Sequence, residues 1–347
     1  MKKTADAPRE YAAAGVDLAV ADAAKARIAE LVASTRTPLS TGKVGAFGGM
    51  VRIPEGMKKP TLVLSTDGVG TKVLVALQAQ RFDTVGEDLV NHSVNDILVH
   101  GATPLAFMDY IAGSGLDVEQ LAQIVEGLAR GCLAHGMALA GGETAQMPGL
   151  YQPGTYDLAG TIIGVVEEEK ALHGDAIAPG DILLGYASSG LHTNGYTLAR
   201  RIIFDRLQLQ LSDRLGETGS SVADALLAVH QSYYRSVSPI LNRLHGLAHI
   251  TGGGIAGNLV RILPQDRIAT VDPDSWEIPA LFTTLQQAGQ VTTEEMREVF
   301  NLGIGLIAVL HPDAVTAAQA AATAEGVPTW AIGEIRRGSR AVRFARA

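Results

Sequence analysis

Five stretches of this sequence combine residue types that handle phosphate and metal. The first is Asp67-Gly68-Val69-Gly70-Thr71-Lys72, directly after the apolar run Thr61-Leu62-Val63-Leu64-Ser65-Thr66. A carboxylate at a strand's C-terminal end can hold Mg2+. Glycine amides and an ammonium can then neutralise phosphate oxygens. The P-loop spacing is absent, and a tight turn with a solvated lysine fits the same residues. In the second stretch Asp88, His92 and Asp96 recur at i, i+4 and i+8, with Asn95 beside them, so they share one helix face. That face is either solvated or completes an oxygen-rich Mg2+ site with Asp67; His92 alone reads as structural. In the third, Gly141-Gly142-Glu143-Thr144, a glutamate follows two glycines at the predicted end of a short strand. It is either a third carboxylate for the same cation or a cap.

The remaining two are loops. Ser188-Ser189-Gly190-Leu191-His192-Thr193-Asn194-Gly195 lies between a predicted strand and a predicted helix. Hydroxyls, glycine amides and a helix N-terminus make a phosphate cradle, and a plain loop with a capping Asn is the alternative. His249-Ile250-Thr251-Gly252-Gly253-Gly254 follows the same logic. Three consecutive glycines are costly to order, which favours a close approach of backbone to ligand. Two cradles predict two anionic groups. Cys132 falls on an apolar helical stripe and reads as core. Zinc spacing, a Gly-x-Ser-x-Gly elbow and a dinucleotide fingerprint are all missing.

The elements that must position these residues follow from periodicity. A disordered lead to about Arg9 is expected, then a helix over 20–36 ended by Pro38, then the Gly-rich loop 40–49. Strands are predicted over 61–66, 105–111, 138–140 and 158–166, with helices over 84–100 and from Asp117 to Gly136. The second helix opens on Asp117 with Gln120 three residues on and carries Leu121, Ile124, Val125, Leu128, Cys132 and Leu133. Glu167 to Gly180 is charged and turn-forming, and the pattern restarts after it. The second half reads as a strand over 181–187, a helix over 194–207, a long helical stretch over 222–244, and further alternating strands and helices. The expected fold class is α+β, with two α/β-type domains at 1–168 and 169–347.

The chain has 347 residues, 28 basic and 36 acidic side chains, and a formal net charge of −8. An acidic chain without a basic block is a poor partner for nucleic acid or anionic lipid. One cysteine fits a reducing, cytoplasmic compartment. No apolar run approaches the roughly 18 residues of a membrane span. Thirty-nine glycines, many of them in polar loops, suit backbone contact with small molecules. The composition predicts an enzyme acting on small molecules.

Taken in order, these segments, with Val44-Gly45-Ala46-Phe47-Gly48-Gly49 before them and Phe300-Asn301-Leu302-Gly303-Ile304-Gly305 after, resemble the phosphoribosylformylglycinamidine cyclo-ligase (AIR synthetase) family from about Tyr11 to near the C-terminus. The resemblance implies ATP-dependent closure of formylglycinamidine ribonucleotide to 5-aminoimidazole ribonucleotide in purine biosynthesis. It also implies a homodimer whose N-terminal strands build a shared barrel. Mg2+ and ATP are then expected at Asp67, Asp96 and Glu143, with Lys72 beside the phosphates. Gly45, Phe47, Gly48, Gly49, Gly68, Gly70, Thr71 and Asn95 complete the implied nucleotide site. Ser189, Gly190, His192, Asn194 and Gly195 imply the ribose-phosphate cradle, joined by Thr251, Gly252, Gly253 and Gly254. Gln146 stands where relatives often carry Glu, and Ile255-Ala256-Gly257 replaces a usual aromatic. Lys43 lies where the family often has glycine and takes no catalytic role. The rival readings are a sister ATP enzyme of the selenophosphate synthetase or thiamine-phosphate kinase type, and a non-catalytic nucleotide-binding module. A missing N-terminal cysteine speaks against the first of these, and an intact acidic set speaks against the module.

Overall fold

The computed structural model describes residues 27–43 and 45–345. The lead segment and the start of the first expected helix lie outside them; that helix covers 27–34 of the described residues. Strands β1 (Pro60–Gly68), β2 (Thr103–Gly113), β3 (Ala138–Gln146) and β4 (Tyr156–Glu167) form one sheet in the order β1-β4-β2-β3. Helices α1 (Lys72–Ala79) and α2 (Asp83–Leu98) join β1 to β2, and α3 (Val118–Ala134) makes the crossover between the parallel pair β2 and β3. The capping box at α3 forms as expected: Asp117 accepts the Gln120 N–H and Gln120 accepts the Asp117 N–H. Its apolar stripe is buried except for Leu133, which is exposed.

Helices α2 and α3 cover one sheet face and touch backbone to backbone. A Cβ on Gly86 would lie 2.1 Å from the Ile124 carbonyl oxygen, and one on Gly127 would lie 2.1 Å from that of Asp83. On the opposite face, Leu62, Leu64 and Tyr110 stand exposed.

The second sheet draws only on later residues: β5 (Ile182–Ala187), β6 (Leu244–His249), β7 (Arg267–Val271), β8 (Ile304–Leu310), β9 (Thr329–Arg337) and β10 (Ala341–Phe344), in the order β10-β7-β9-β5-β8-β6. All its pairs are antiparallel except β10 with β7. It is covered on both faces. Leu306, Ala308 and Leu310 of β8 enter one core, while Ile307 and Val309 enter another. A third, larger core joins the halves, running from Leu89 and Ile124 to Leu226, Phe282 and Phe300. Mixed helix and strand in both halves makes the fold α+β. No helix of the described residues is long and apolar enough to cross a membrane.

Two expectations about elements need correction. Strand β3 does not stop at Ala140 but runs through Gln146, so Glu143 is mid-strand rather than at a strand end. The long helix over 222–244 is broken into short pieces at Val222–Leu226 and Tyr234–Val237, with irregular chain between them. Buried side chains take the backbone groups there that a helix would need. Lys72 donates to the Ala228 carbonyl, Asp88 accepts the His230 N–H, and Asn95 binds both the Gln231 carbonyl and the Tyr233 N–H.

Candidate active site

Asp67 is the penultimate residue of β1, and it shares a row and a sheet face with Gly160, Asp109 and Gly142. That face packs against α2, whose polar stripe therefore points inward. His92 Nε2 lies 2.7 Å from Asp67 Oδ2 and 3.4 Å from Asp96 Oδ2. The Ser65 hydroxyl donates to Asp96 Oδ2 at 3.2 Å. The expected meeting of Asp67 with Asp96 is present, and His92, read from its type as structural, stands between them.

Around these groups runs a closed circuit. His92 Nδ1 lies 2.8 Å from Thr193 Oγ1, which is 3.5 Å from His230 Nδ1. His230 Nε2 lies 3.1 Å from His249 Nε2, and His249 Nδ1 lies 2.8 Å from Asp96 Oδ1. The circuit takes members from both halves of the chain. Burial opposes charge on His92, but hydrogen bonds to Asp67 and Asp96 outweigh it and raise its pKa to about 9. Burial likewise opposes ionisation of Asp96, yet bonds to His249 and His92 hold it well below the usual carboxylate range. Asp67 is lowered too, with His92 overcoming its partial burial. Burial pushes His230 well down and lowers His249, so both rest neutral at pH 7. Two ionised carboxylates with one imidazolium thus form one wall of a cleft of about 530 Å³ between the two sheets' halves.

Other expected residues lie elsewhere. Lys72 is not solvated: it is fully buried, 2.7 Å from Asp88 Oδ2, under the Tyr196 ring. Asp88 accordingly belongs to that pair and not to the carboxylate wall. Asn95 is also fully buried, holding the 231–233 backbone. Glu143 is separated from Asp67 by two intervening strands, about 14 Å at normal strand spacing. Its pairing opposite Tyr110 turns it to the other sheet face. Within one chain the three carboxylates do not form one cluster. On the same side, Gly49 packs against Ala140 of β3, and Phe47 projects fully exposed from the loop 45–49. Gly68 ends β1, Gly70 and Thr71 form the turn after it, and the Thr71 hydroxyl lies 3.2 Å from that of Thr197.

His192 faces inward, not into a phosphate cradle. It is buried at φ 60°, accepts the Ser189 N–H on Nε2, and stacks on His230 at 3.9 Å. Gly305 leaves the space for this, since a Cβ there would sit 2.5 Å from the His192 ring. Gly190 is held through its carbonyl by Asn301, and Gly195 faces the Phe300 ring. Among the described residues Asn194 keeps a buried Nδ2 without a hydrogen-bond partner, and its Oδ1 faces Gly252. Helix α7 is reached through Gly252 and Gly253 and spans Gly254–Leu259, after α4 (Tyr196–Arg200), α5 (Val222–Leu226) and α6 (Tyr234–Val237). Asn258 on α7 ties the Thr251, Gly252 and Gly254 carbonyls together. Gly254 is also required by packing: a Cβ there would collide with the Arg297 carbonyl.

Two residues of interest had no place in the sequence reading. His230 sits in a stretch whose apolar spacing looked helical, and its only signal is the polar interruption His230-Gln231-Ser232. Asp109 lay inside a predicted strand. Burial pushes its carboxyl up to about 7, its own backbone N–H opposing this and the Glu143 charge adding to it.

The chain is similar to known proteins over nearly its whole length. The family model described as AIR synthase related protein, N-terminal domain, matches residues 46–166, and the corresponding C-terminal domain matches 178–345. A phosphoribosylformylglycinamidine cyclo-ligase of Sorangium cellulosum is 46% identical over 329 residues, covering 94% of each chain. One from Thermosynechococcus vestitus is 46% identical over 95% of this chain and 97% of its own. Among solved structures, thiamine-monophosphate kinase from Stenotrophomonas maltophilia superposes with a TM-score of 0.68 at 20% identity, covering 94% of this chain and 95% of that one. The hydrogenase maturation protein HypE in complex with ATP gives 0.61 at 20% identity, covering 88% and 84%. These two share the fold.

Proposed function

The chain belongs to the phosphoribosylformylglycinamidine cyclo-ligase family, and from that premise we propose how its residues carry out the family's reaction. The protein is an enzyme: it closes formylglycinamidine ribonucleotide to 5-aminoimidazole ribonucleotide in de novo purine biosynthesis, converting ATP to ADP and phosphate. The observation that carries the site reading is the pair of ionised carboxylates, Asp67 and Asp96, on the wall of an interdomain cleft large enough for a nucleotide-sized ligand.

The donor set suits Mg2+. Asp67 and Asp96 offer hard, ionised oxygens within 4.8 Å of one another, and Asp67 is half exposed to the cleft. These two residues would hold the ion, which when bound neutralises charge between phosphate oxygens. Glu143 and the loop of Gly45, Phe47, Gly48 and Gly49 gather on the β3 side, away from Asp67. We infer that a second copy brings them into one ATP site: the bare faces of two four-stranded sheets close on each other, setting the β3 side of one subunit against the β1 side of its partner. In this reading residues 1–168 serve the nucleotide and dimerisation, and residues 169–347 serve the ribonucleotide. The orphan amide of Asn194, between the two Gly-rich loops, is a donor available to that substrate.

The chemistry needs little from side chains beyond position and charge. A formamide carbonyl is a weak electrophile whose oxygen would otherwise depart as hydroxide. Transfer of the γ-phosphoryl group to the formyl oxygen releases ADP and leaves an electrophilic carbon. The ribose-bearing amidine nitrogen attacks that carbon, the C–O bond breaks, and phosphate leaves with the former formyl oxygen. In-line positioning and charge neutralisation dominate such a reaction, which fits a site of carboxylates, imidazoles and amides. Substrate labelled with heavy oxygen in the formyl group is expected to deliver its label to inorganic phosphate. Label appearing in water would rule out phosphoryl activation.

A further inference from the structure

The cleft has a second wall, of the opposite sign. Arg261, His100 and His173 line the same space as Asp67 and Asp96, and among the described residues Arg261 is the only lysine or arginine in that lining. Its backbone is fixed by another arginine: Arg340 donates to the carbonyls of Val260 and Arg261 at 2.7–3.0 Å. Among the described residues the Arg261 guanidinium itself makes no ion pair, and its one side-chain contact is Asn258 Oδ1 at 3.5 Å. His100 follows the C-terminal end of α2, and His173 lies in the connector between the two sheets. The Leu172 N–H donates to the His100 carbonyl at 3.2 Å, which brings both imidazoles to one rim.

Resting on the cyclo-ligase reading above, we propose that this wall receives the phosphate monoester of the ribonucleotide. Arg261 is the charged ligand, and His100 and His173 are imidazole donors. The guanidinium stands across the cleft from the Asp67 and Asp96 wall, which the nucleotide's Mg2+ would take, so the two walls draw different groups and orient the substrate. A planar guanidinium with free donors matches phosphate oxygens two at a time. The formyl end is then directed toward Asp67 and Asp96. Since the wall is assembled from the end of α2, the connector and the turn after α7, the bound phosphate bridges the two halves.

The test is steady-state kinetics of the full chain on formylglycinamidine ribonucleotide and on its phosphate-free riboside. Arg261→Gln is expected to raise the ribonucleotide KM by about tenfold to a hundredfold, the effect of a lost charged hydrogen bond. The KM for ATP should stay unchanged, and the preference for ribonucleotide over riboside should shrink by the same factor. Inorganic phosphate should inhibit the parent enzyme competitively and the variant far less. His100→Ala and His173→Ala should show smaller changes of the same kind. An Arg261→Gln enzyme that binds ATP normally and keeps its full preference overturns the proposal, while the cyclo-ligase reading stands. If the parent enzyme turns over neither substrate, that reading falls with it. Should Arg261→Gln fail to fold, Arg261→Lys together with the two histidine variants decides: unchanged preference in all three overturns the phosphate wall.

Discussion

Lys72 illustrates how a residue's type and its place can diverge. An ammonium six residues into a Gly-rich turn is what a phosphate site calls for, yet its charge is consumed inside the protein. Burial lowers the pKa of Lys72 and raises that of Asp88, and each partner's charge opposes the shift of the other. The pair also organises backbone, because Asp88 accepts the His230 N–H and Lys72 holds the Ala228 carbonyl. Through that loop it positions one member of the histidine circuit. Removing one charge from such a pair strands the other in a dry interior, a loss of about 3–5 kcal/mol. Lys72→Met is therefore expected to lower the free energy of unfolding in urea by that amount, and adding Asp88→Asn should recover much of it. A Lys72→Met protein of normal stability but with ATP binding lost would return Lys72 to the phosphates.

At the scale of elements, the packing of α2 on α3 decides where His92 and Asp96 sit. Gly86 and Gly127 let the helices meet without side chains between them. Gly127→Ala would force them apart, at a cost of about 1–3 kcal/mol. The expected outcome is a lower thermal midpoint together with reduced activity, measured by circular dichroism and turnover. Much of this layer was legible in the sequence. The capping box at Asp117, the stripe of α3, the strand before Asp67 and the shared face of Asp88, His92 and Asp96 all follow from local spacing. The rest depends on long-range partners that spacing does not encode. The irregular chain around His230 arises because Lys72, Asp88 and Asn95, over 130 residues away in sequence, take its hydrogen bonds. His192 turns inward because Gly305 opens a space for it. Glu143 lands mid-strand because β3 finds a partner in β2 along nearly its full length. The close glycines of α2 and α3 break helical propensity, and only their contact explains them.

For the whole molecule, the face of the first sheet that the described residues leave uncovered is the main unsatisfied feature. Among the described residues, Leu62 is 46% exposed and Leu64 is 62% exposed, with Tyr110 exposed farther along the same face. A second copy placed there buries apolar surface that a monomer would leave in water. Light scattering at micromolar concentration should give twice the chain mass, and Leu64→Lys should shift it to one. A monomer mass for the parent protein would remove the shared ATP site from consideration.

The apolar core that joins the halves also bears on how the chain is made. The core that holds Leu89 and Ile124 is completed by Phe282 and Phe300 only after well over a hundred further residues have been added. At normal synthesis speeds of about 5–20 residues per second, the first sheet and its helices wait roughly ten to thirty seconds on the ribosome with that face bare. During this interval the nascent chain presents a sticky, half-built surface, and its yield in a cell will track the supply of chaperones that can shield it until the last third arrives.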